Sequence, residues 1–206
     1  MPRKRLTREE SRDLTRQRLL EAGAVMIAKK GLAASSVEDI AAQAGYTRGA
    51  FYSNFDSKND LFIELLKRDH EDIQQGLQQL LDAGLSIEDM QKQLAHFYIQ
   101  AYCGNTSYVL WAEARLQALR DAKFRLRLNA LLLEKRNVIA YFITQFCALM
   151  KTTLPAPAGD LAFGMMALFD GVRFFNTSMP HEMSDAAAQS VLSAIFSATF
   201  FDSGRR

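Results

Sequence analysis

Proline is nearly missing from this chain. Among 206 residues it occurs only as Pro2, Pro155, Pro157 and Pro180, so long stretches carry no residue that breaks a helix by lacking a backbone donor. Cysteine is as scarce. Cys103 and Cys147 lie far apart and make neither a C-x-x-C pair nor a metal-ligand spacing, which excludes a cysteine-built metal centre. They read as buried thiols, with a redox-sensing pair as the alternative. Long apolar runs are missing too. The longest, Ile139–Met150, Leu161–Phe169 and Val191–Phe201, all fall short of the ~20 residues that span a bilayer. The basic start Met-Pro-Arg-Lys-Arg is followed by no apolar run, so no secretory signal is expected and the chain is placed in the cytoplasm, away from membranes. His70, His96 and His181 are isolated, and H-E-x-x-H, nucleophile-elbow and P-loop patterns do not occur. No enzyme, no metal and no cofactor is expected.

What is present is a globular composition, 49% hydrophobic and 23% charged, too apolar to stay disordered. The net charge of +2 hides an uneven distribution. Residues 1–20 hold seven Lys or Arg against three Asp or Glu, and residues 115–136 hold seven against two. Between them, residues 21–114 hold seven against thirteen. A basic arm on a nearly neutral chain suggests one localised contact with a polyanion; the plain alternative is a solvated tail. The second basic run, including Arg115, Arg120, Lys123, Arg125 and Arg127, reads as a solvated face or as a surface for an anion.

Helix signals dominate. Thr7/Glu10, Ser36/Asp39, Ser57/Asp60 and Ser86/Asp89 each pair a hydroxyl with an acid three residues on, the pattern of a capping box. Gly31, Gly45, Gly84 and Gly104 follow apolar-periodic runs as C-terminal stops. Together these predict nine helices, at 7–30, 37–44, 48–54, 58–83, 87–103, 106–119, 122–151, 160–177 and 185–201, in an all-α chain with no strand.

Residues 36–55, SVEDIAAQAGYTRGAFYSNF, have the grammar of a helix-turn-helix. Val37, Ile40, Ala41 and Ala44 share one face of a short helix. Gly45 supplies the turn, and Thr47 caps a second helix. The small Ala41 lets the two helices approach, and Phe51 and Phe55 turn inward toward Ile40 and Ile27. The other face presents Thr47, Arg48, Tyr52, Ser53 and Asn54, hydrogen-bonding groups placed as a recognition helix places them. Arg48 can bond a guanine edge in bidentate fashion. Thr47, Tyr52 and Lys58 suit phosphate oxygens. Gly49 leaves room for a close duplex, and Ser36 and Ala50 complete the candidate DNA-binding set.

The run Gly31, Ser35-Ser36-Val37, Asp39-Ile40-Ala41, Ala44-Gly45, Gly49-Ala50-Phe51-Tyr52, Phe55, Ser57-Lys58, Leu61-Phe62 resembles the DNA-binding signature of the tetracycline repressor (TetR/AcrR) family over about residues 15–65. Two positions depart from it: Ile27 stands where an aromatic is usual, and Asn54 where His or Tyr is common, which leaves the role of that position open. The resemblance implies a nine-helix TetR-like protomer, with a helix-turn-helix domain at 1–56 and a helical ligand-binding and dimerisation domain at 57–206. It also implies a homodimer on a palindromic operator in double-stranded DNA, acting as a repressor released by a small-molecule effector. In the alternative reading the C-terminal domain only dimerises. The resemblance further implies that Arg3, Lys4 and Arg5 form a minor-groove or phosphate arm, with a disordered tail as the alternative.

Aromatic residues crowd the middle helices. Most are ordinary core, but Tyr102, Trp111, Phe142 and Phe146 are taken as candidate ligand contacts, the first two because their polar tips need partners when buried. Gly164, Ala167 and Gly171 line one face of the eighth helix, and the ninth is apolar or small nearly all round, which points to a two-fold partner. The helix 58–83 reads as a lever from ligand to DNA, with Gly76 as either a soft point or a packing need.

Overall fold

The computed structural model describes residues 7–102 and 105–200; side chains at 87, 91, 95, 98–102, 105, 197, 199 and 200 lie outside that description. The arm Arg3, Lys4 and Arg5, the thiol of Cys103 and the phenol of Tyr102 therefore fall outside the described residues. All regular structure among the described residues is helical, in nine helices: α1 (Arg8–Ala34), α2 (Val37–Gln43), α3 (Arg48–Tyr52), α4 (Lys58–Asp82), α5 (Ile87–Tyr102), α6 (Asn105–Arg120), α7 (Ala122–Met150), α8 (Ala158–Ser178) and α9 (Asp185–Phe200). The chain is all-α, as its periodicity and capping pattern predict. No helix among the described residues is long and apolar enough to cross a membrane.

Local chemistry sets the helix starts. Thr7 and Ser36 close complete capping boxes with Glu10 and Asp39. At Ser57 and Ser86 the hydroxyl accepts the N–H of the acid three residues on and donates to its carboxylate. The predicted stop at Gly31 is a break within α1 rather than its end. Gly31 takes φ 81°, ψ 161° and the helix resumes to Ala34, a backbone conformation reserved for glycine. Helix α8 opens two residues earlier than expected, just after Pro157.

By packing, the chain forms two compact units. The first runs to Asp69 and includes Val109–Leu128, so it holds α1–α3, the start of α4, most of α6 and the first turns of α7. Its core includes Leu19, Ile27, Ile40, Phe51 and Leu61, all fully buried. Phe62 and Phe124 stack with centroids 5.6 Å apart. A Cβ on Gly23 would lie 2.6 Å from Leu61 Cδ2, so glycine there lets α4 sit directly against α1. Each fully buried Leu, Ile or Phe contributes roughly 1.5–3 kcal/mol.

The second unit comprises His70–Tyr108 and the residues from Asn129. Its helices contribute apolar stripes at three- and four-residue spacing, such as Ile73, Leu77 and Leu80 on α4 and Ile139, Phe142, Ile143 and Phe146 on α7. A Cβ on Gly76 would lie 2.1 Å from Phe97 Cε2. Of the two readings offered for Gly76, the packing need is the one observed: it is the gap into which the α5 ring fits. On the outer side α8 exposes Phe163 and Phe174, and Gly164 has open space where a side chain would be. Helix α9 exposes Ala186, Ser190, Ala194 and Ala198 at four-residue spacing.

Candidate nucleic-acid interface

Two short helices joined by a tight turn build the site. Helix α2 buries Ile40 and Ala41, and α3 buries Phe51. Gly45, at φ 79°, ends α2 in a left-handed cap. The N–H of Tyr46 donates to Ala41 O at 2.8 Å and that of Gly45 to Ala42 O at 3.0 Å, the Schellman pair that fixes the direction of the next helix. Ala41 is 1% exposed, which explains its size. Phe51 and Phe55, centroids 5.6 Å apart, point inward as their spacing predicts. The Arg16 guanidinium lies 4.2 Å over the Phe55 ring and donates to Asn54 O at 2.6 Å, so α1 holds the end of α3 in place.

The structure puts six of the nine predicted DNA-binding residues on the surface: Ser36, Thr47, Arg48, Gly49, Tyr52 and Ser53 are exposed. Thr47 caps α3, its Oγ1 accepting the N–H of Ala50 at 3.3 Å. Arg48 donates to Glu38 Oε1 at 2.8 Å and lies 5.5 Å from the Tyr52 ring centroid. Glu38 thus belongs to the site, although as an ordinary first-turn acid it carried no sequence signal.

The other three are partly buried, and two of them face inward chemically. Ala50 is half-buried within α3. The Asn54 side-chain amide donates to Ala50 O at 2.8 Å, while the Ser53 hydroxyl donates to Gly49 O at 3.0 Å. Gly49 O also accepts the Ser53 N–H at 3.0 Å, so the two side chains reinforce the end of a five-residue helix. Lys58 is the larger departure from expectation. Its ammonium donates to Leu32 O at 2.5 Å and to Ser35 O at 2.6 Å, with Ala33 O at 3.5 Å. It closes the carbonyl end of α1, where a positive charge also suits the helix dipole. Burial, and then the nearby Lys30 ammonium, draw its pKa below the usual 10.5. The Asp39 carboxyl is held at about 2, first by Lys30 at 2.6 Å and then by the Ser36 hydroxyl and N–H.

The four predicted ligand contacts do not form one set. Phe142 and Phe146 stack in the core of the second unit, centroids 6.1 Å apart. Trp111 lies buried in the first unit, and its indole N–H donates to Asp69 Oδ2 at 2.6 Å. The second unit carries two grooves open to solvent. One, of about 400 Å3, lies between α4 and α5 beside Gly76, His96 and Phe97. The other, of about 350 Å3, lies between α4 and α7 beside Gln74, Leu81, Tyr141 and Phe142. The basic run is not simply solvated: Arg127 pairs with Asp60, Arg125 donates to Ala118 O and Arg136 to Gly159 O.

Residues 19–65 match the model of bacterial regulatory proteins of the tetR family. Sequence relatives include the HTH-type transcriptional regulator AcrR of Shigella flexneri, 39% identical over 61 residues, 30% of this chain and 28% of that protein. Another is TtgR of Pseudomonas putida, 42% identical over 67 residues, 32% of this chain and 31% of that one. These matched stretches span under a third of either relative's length. Whole-chain likeness comes from solved structures. A TetR-family protein from Rhodococcus sp. superposes with a TM-score of 0.76 at 23% identity, over 91% of this chain and 99% of its own. The regulator FadR of Bacillus subtilis in complex with stearoyl-CoA gives 0.73 at 15%, over 87% and 96%. At such identities these likenesses show the fold. Residues 19–65 thus match the tetR family of bacterial regulatory proteins, and the chain as a whole has the fold of these solved structures.

Proposed function

We propose that this chain is a DNA-binding transcriptional regulator, a repressor that grips a palindromic operator as a homodimer and is released by a small-molecule effector. The observation that carries the reading is the outward face of α3. Thr47, Arg48, Gly49 and Tyr52 stand exposed over a buried Ile40, Ala41 and Phe51. Arg48 reads a guanine edge. The hydroxyls of Ser36, Thr47 and Tyr52 donate to phosphates, Gly49 admits the duplex, and Ala50 and Ser53 border the contact. Asn54 and Lys58 serve the interface by shaping it from inside.

The exposed Phe163 and Phe174 of α8 and the small-residue stripe of α9 support a two-fold partner. Two protomers on one face of B-DNA present recognition helices about 34–36 Å apart, which makes the operator palindromic. Residues 1–56 act as the DNA-binding domain and 57–206 as the effector and dimer domain, working in the cytoplasm and without catalysis. Tyr102, Phe142 and Phe146 stay as the proposed effector contacts; Trp111 is occupied by Asp69. A neighbour in fold was solved with stearoyl-CoA, which supports a small-molecule role for the helical domain. The effector must prefer the form that cannot bind DNA, since equal affinity for both forms shifts nothing, and α4, one helix from Lys58 to Asp82, is the proposed lever. The packed Phe142–Phe146 pair favours the second reading, in which this domain dimerises and takes no ligand.

The test is selection of duplexes from a random library by the protein, followed by a compound screen for release and sedimentation of the free protein. A palindromic consensus, a dimer at micromolar concentration and at least one releasing compound are expected. A protein that retains no preferred sequence overturns the reading. One that selects a palindrome but releases it to no compound leaves the second reading standing.

A further inference from the structure

We infer that Glu113 is the residue through which α6 positions the helix-turn-helix, acting on the backbone of Leu32; the inference rests on the DNA-binding reading above. The break at Gly31 takes the next peptide out of the helical ladder of α1. The N–H of Leu32 donates instead to Glu113 Oε2 at 3.1 Å, across 81 residues of sequence. The carbonyl of the same residue accepts from Lys58 Nζ at 2.5 Å. One backbone unit is thus held by a carboxylate from α6 at one end and an ammonium from α4 at the other. Both bonds involve an ionised group and are stronger and more directional than neutral ones. Gly31 is fitted to the arrangement, since a Cβ there would lie 3.2 Å from Glu113 Oε1.

Leu32 lies shortly before α2, the helix that precedes the recognition helix. Lys58 also holds Ser35 O, and Ser36 caps α2. The first turn of α2 carries Glu38, which holds Arg48 at 2.8 Å. From Glu113 to Arg48 the path runs through Leu32, the cap of α2 and one ion pair, all within the first unit. A residue that only stabilised this unit could be replaced by an apolar one of similar volume. A positioning residue requires its acceptor oxygen.

The test compares Glu113→Gln, which keeps a carbonyl at the same reach, with Glu113→Ala and Glu113→Met, which remove it. The probe is the duplex the wild-type protein selects from a random library, and a protein that selects none overturns the function and the positioning together before any variant is made. Amide exchange is read at Leu32 and, as internal control, at Gly23 and Ile27. Loss of the acceptor should speed exchange at Leu32 by about tenfold and weaken duplex binding by about tenfold, the size of one hydrogen bond to a charged group. The Gly23 and Ile27 amides should stay as in the wild type, and Glu113→Gln, with a neutral acceptor of about half the strength, should bind within about threefold of it. Glu113→Met keeps the stem and is read in the same way if the alanine variant does not fold. Wild-type affinity in the variants that lack the acceptor, or equal weakness in Glu113→Gln, overturns the inference.

Discussion

The two compact units are held by different kinds of constraint. The first is fixed by contacts with direction: the capping boxes at Thr7 and Ser36, the left-handed Gly31 and Gly45, Lys58 on its carbonyls, Arg16 across Phe55. The second, among its described residues, is held chiefly by an apolar cluster drawn from α4, α5, α7, α8 and α9. Directional contacts fix angles as well as proximity, and a base-reading surface needs its angles fixed. Apolar packing tolerates exchange of side chains as long as volume is kept.

The comparison is put under most strain by deleting one buried ring from each unit. Phe51→Ala and Phe142→Ala should each cost about 3–5 kcal/mol of stability, measured by denaturant unfolding. Only Phe51→Ala should also remove duplex binding under conditions where the protein remains folded, because its ring seats α3. Loss of binding in Phe142→Ala would show the difference between the units to be illusory. A smaller effect sharpens the role of α3. Arg48→Ala should weaken duplex binding by about 1–3 kcal/mol and relax preference at one base position, read by repeating the library selection. Smaller again, Thr47→Ala removes the cap of a five-residue helix and should cost about 1 kcal/mol of stability, visible as a lowered thermal midpoint.

The smallest effect is one of pH. The Asp39 carboxyl is held at about 2 against an ordinary 3.8. A depressed carboxyl contributes stability above its unfolded pKa and loses it as the pH falls through the folded one. The contribution should therefore be complete above about pH 4 and vanish toward pH 2. Asp39→Asn should flatten the thermal midpoint across that window, modestly, because solvent screens an exposed pair. A midpoint with the same slope in both proteins would remove Asp39 from the set of directional contacts.

Much of the first unit was legible because its signals are local. Ser36 and Asp39 stand three apart, Gly45 follows an apolar face, and Phe51 and Phe55 stand four apart. What escaped the sequence is contact between distant segments. Lys58, next to the recognition helix in sequence, read as a phosphate ligand. Its carbonyl partners lie 23 to 26 residues upstream, and no periodicity marks them. Trp111 read as a ligand contact, and Glu113 stands two residues from it. Their polar atoms face Asp69 and Leu32, 42 and 81 residues away. Ser53 and Asn54 fall on the outward arc of a helix drawn to residue 54. Because α3 ends at Tyr52, both instead finish the helix and bond back onto it.

The ion pair between Arg48 and Glu38 has a consequence for how such a protein would search a chromosome. In the free protein the guanidinium already has an anionic partner at 2.8 Å. On a random stretch of duplex, breaking that pair gains only a phosphate, one anion exchanged for another. At the right base pair it gains two hydrogen bonds of defined geometry. Breaking the pair costs the same on either, so on the proposed reading Glu38 shortens the dwell time on every sequence, the operator included. Replacing Glu38 by Gln would make the protein stickier and slower to find its target, with tighter binding to bulk DNA and operator alike and little change in the ratio between them.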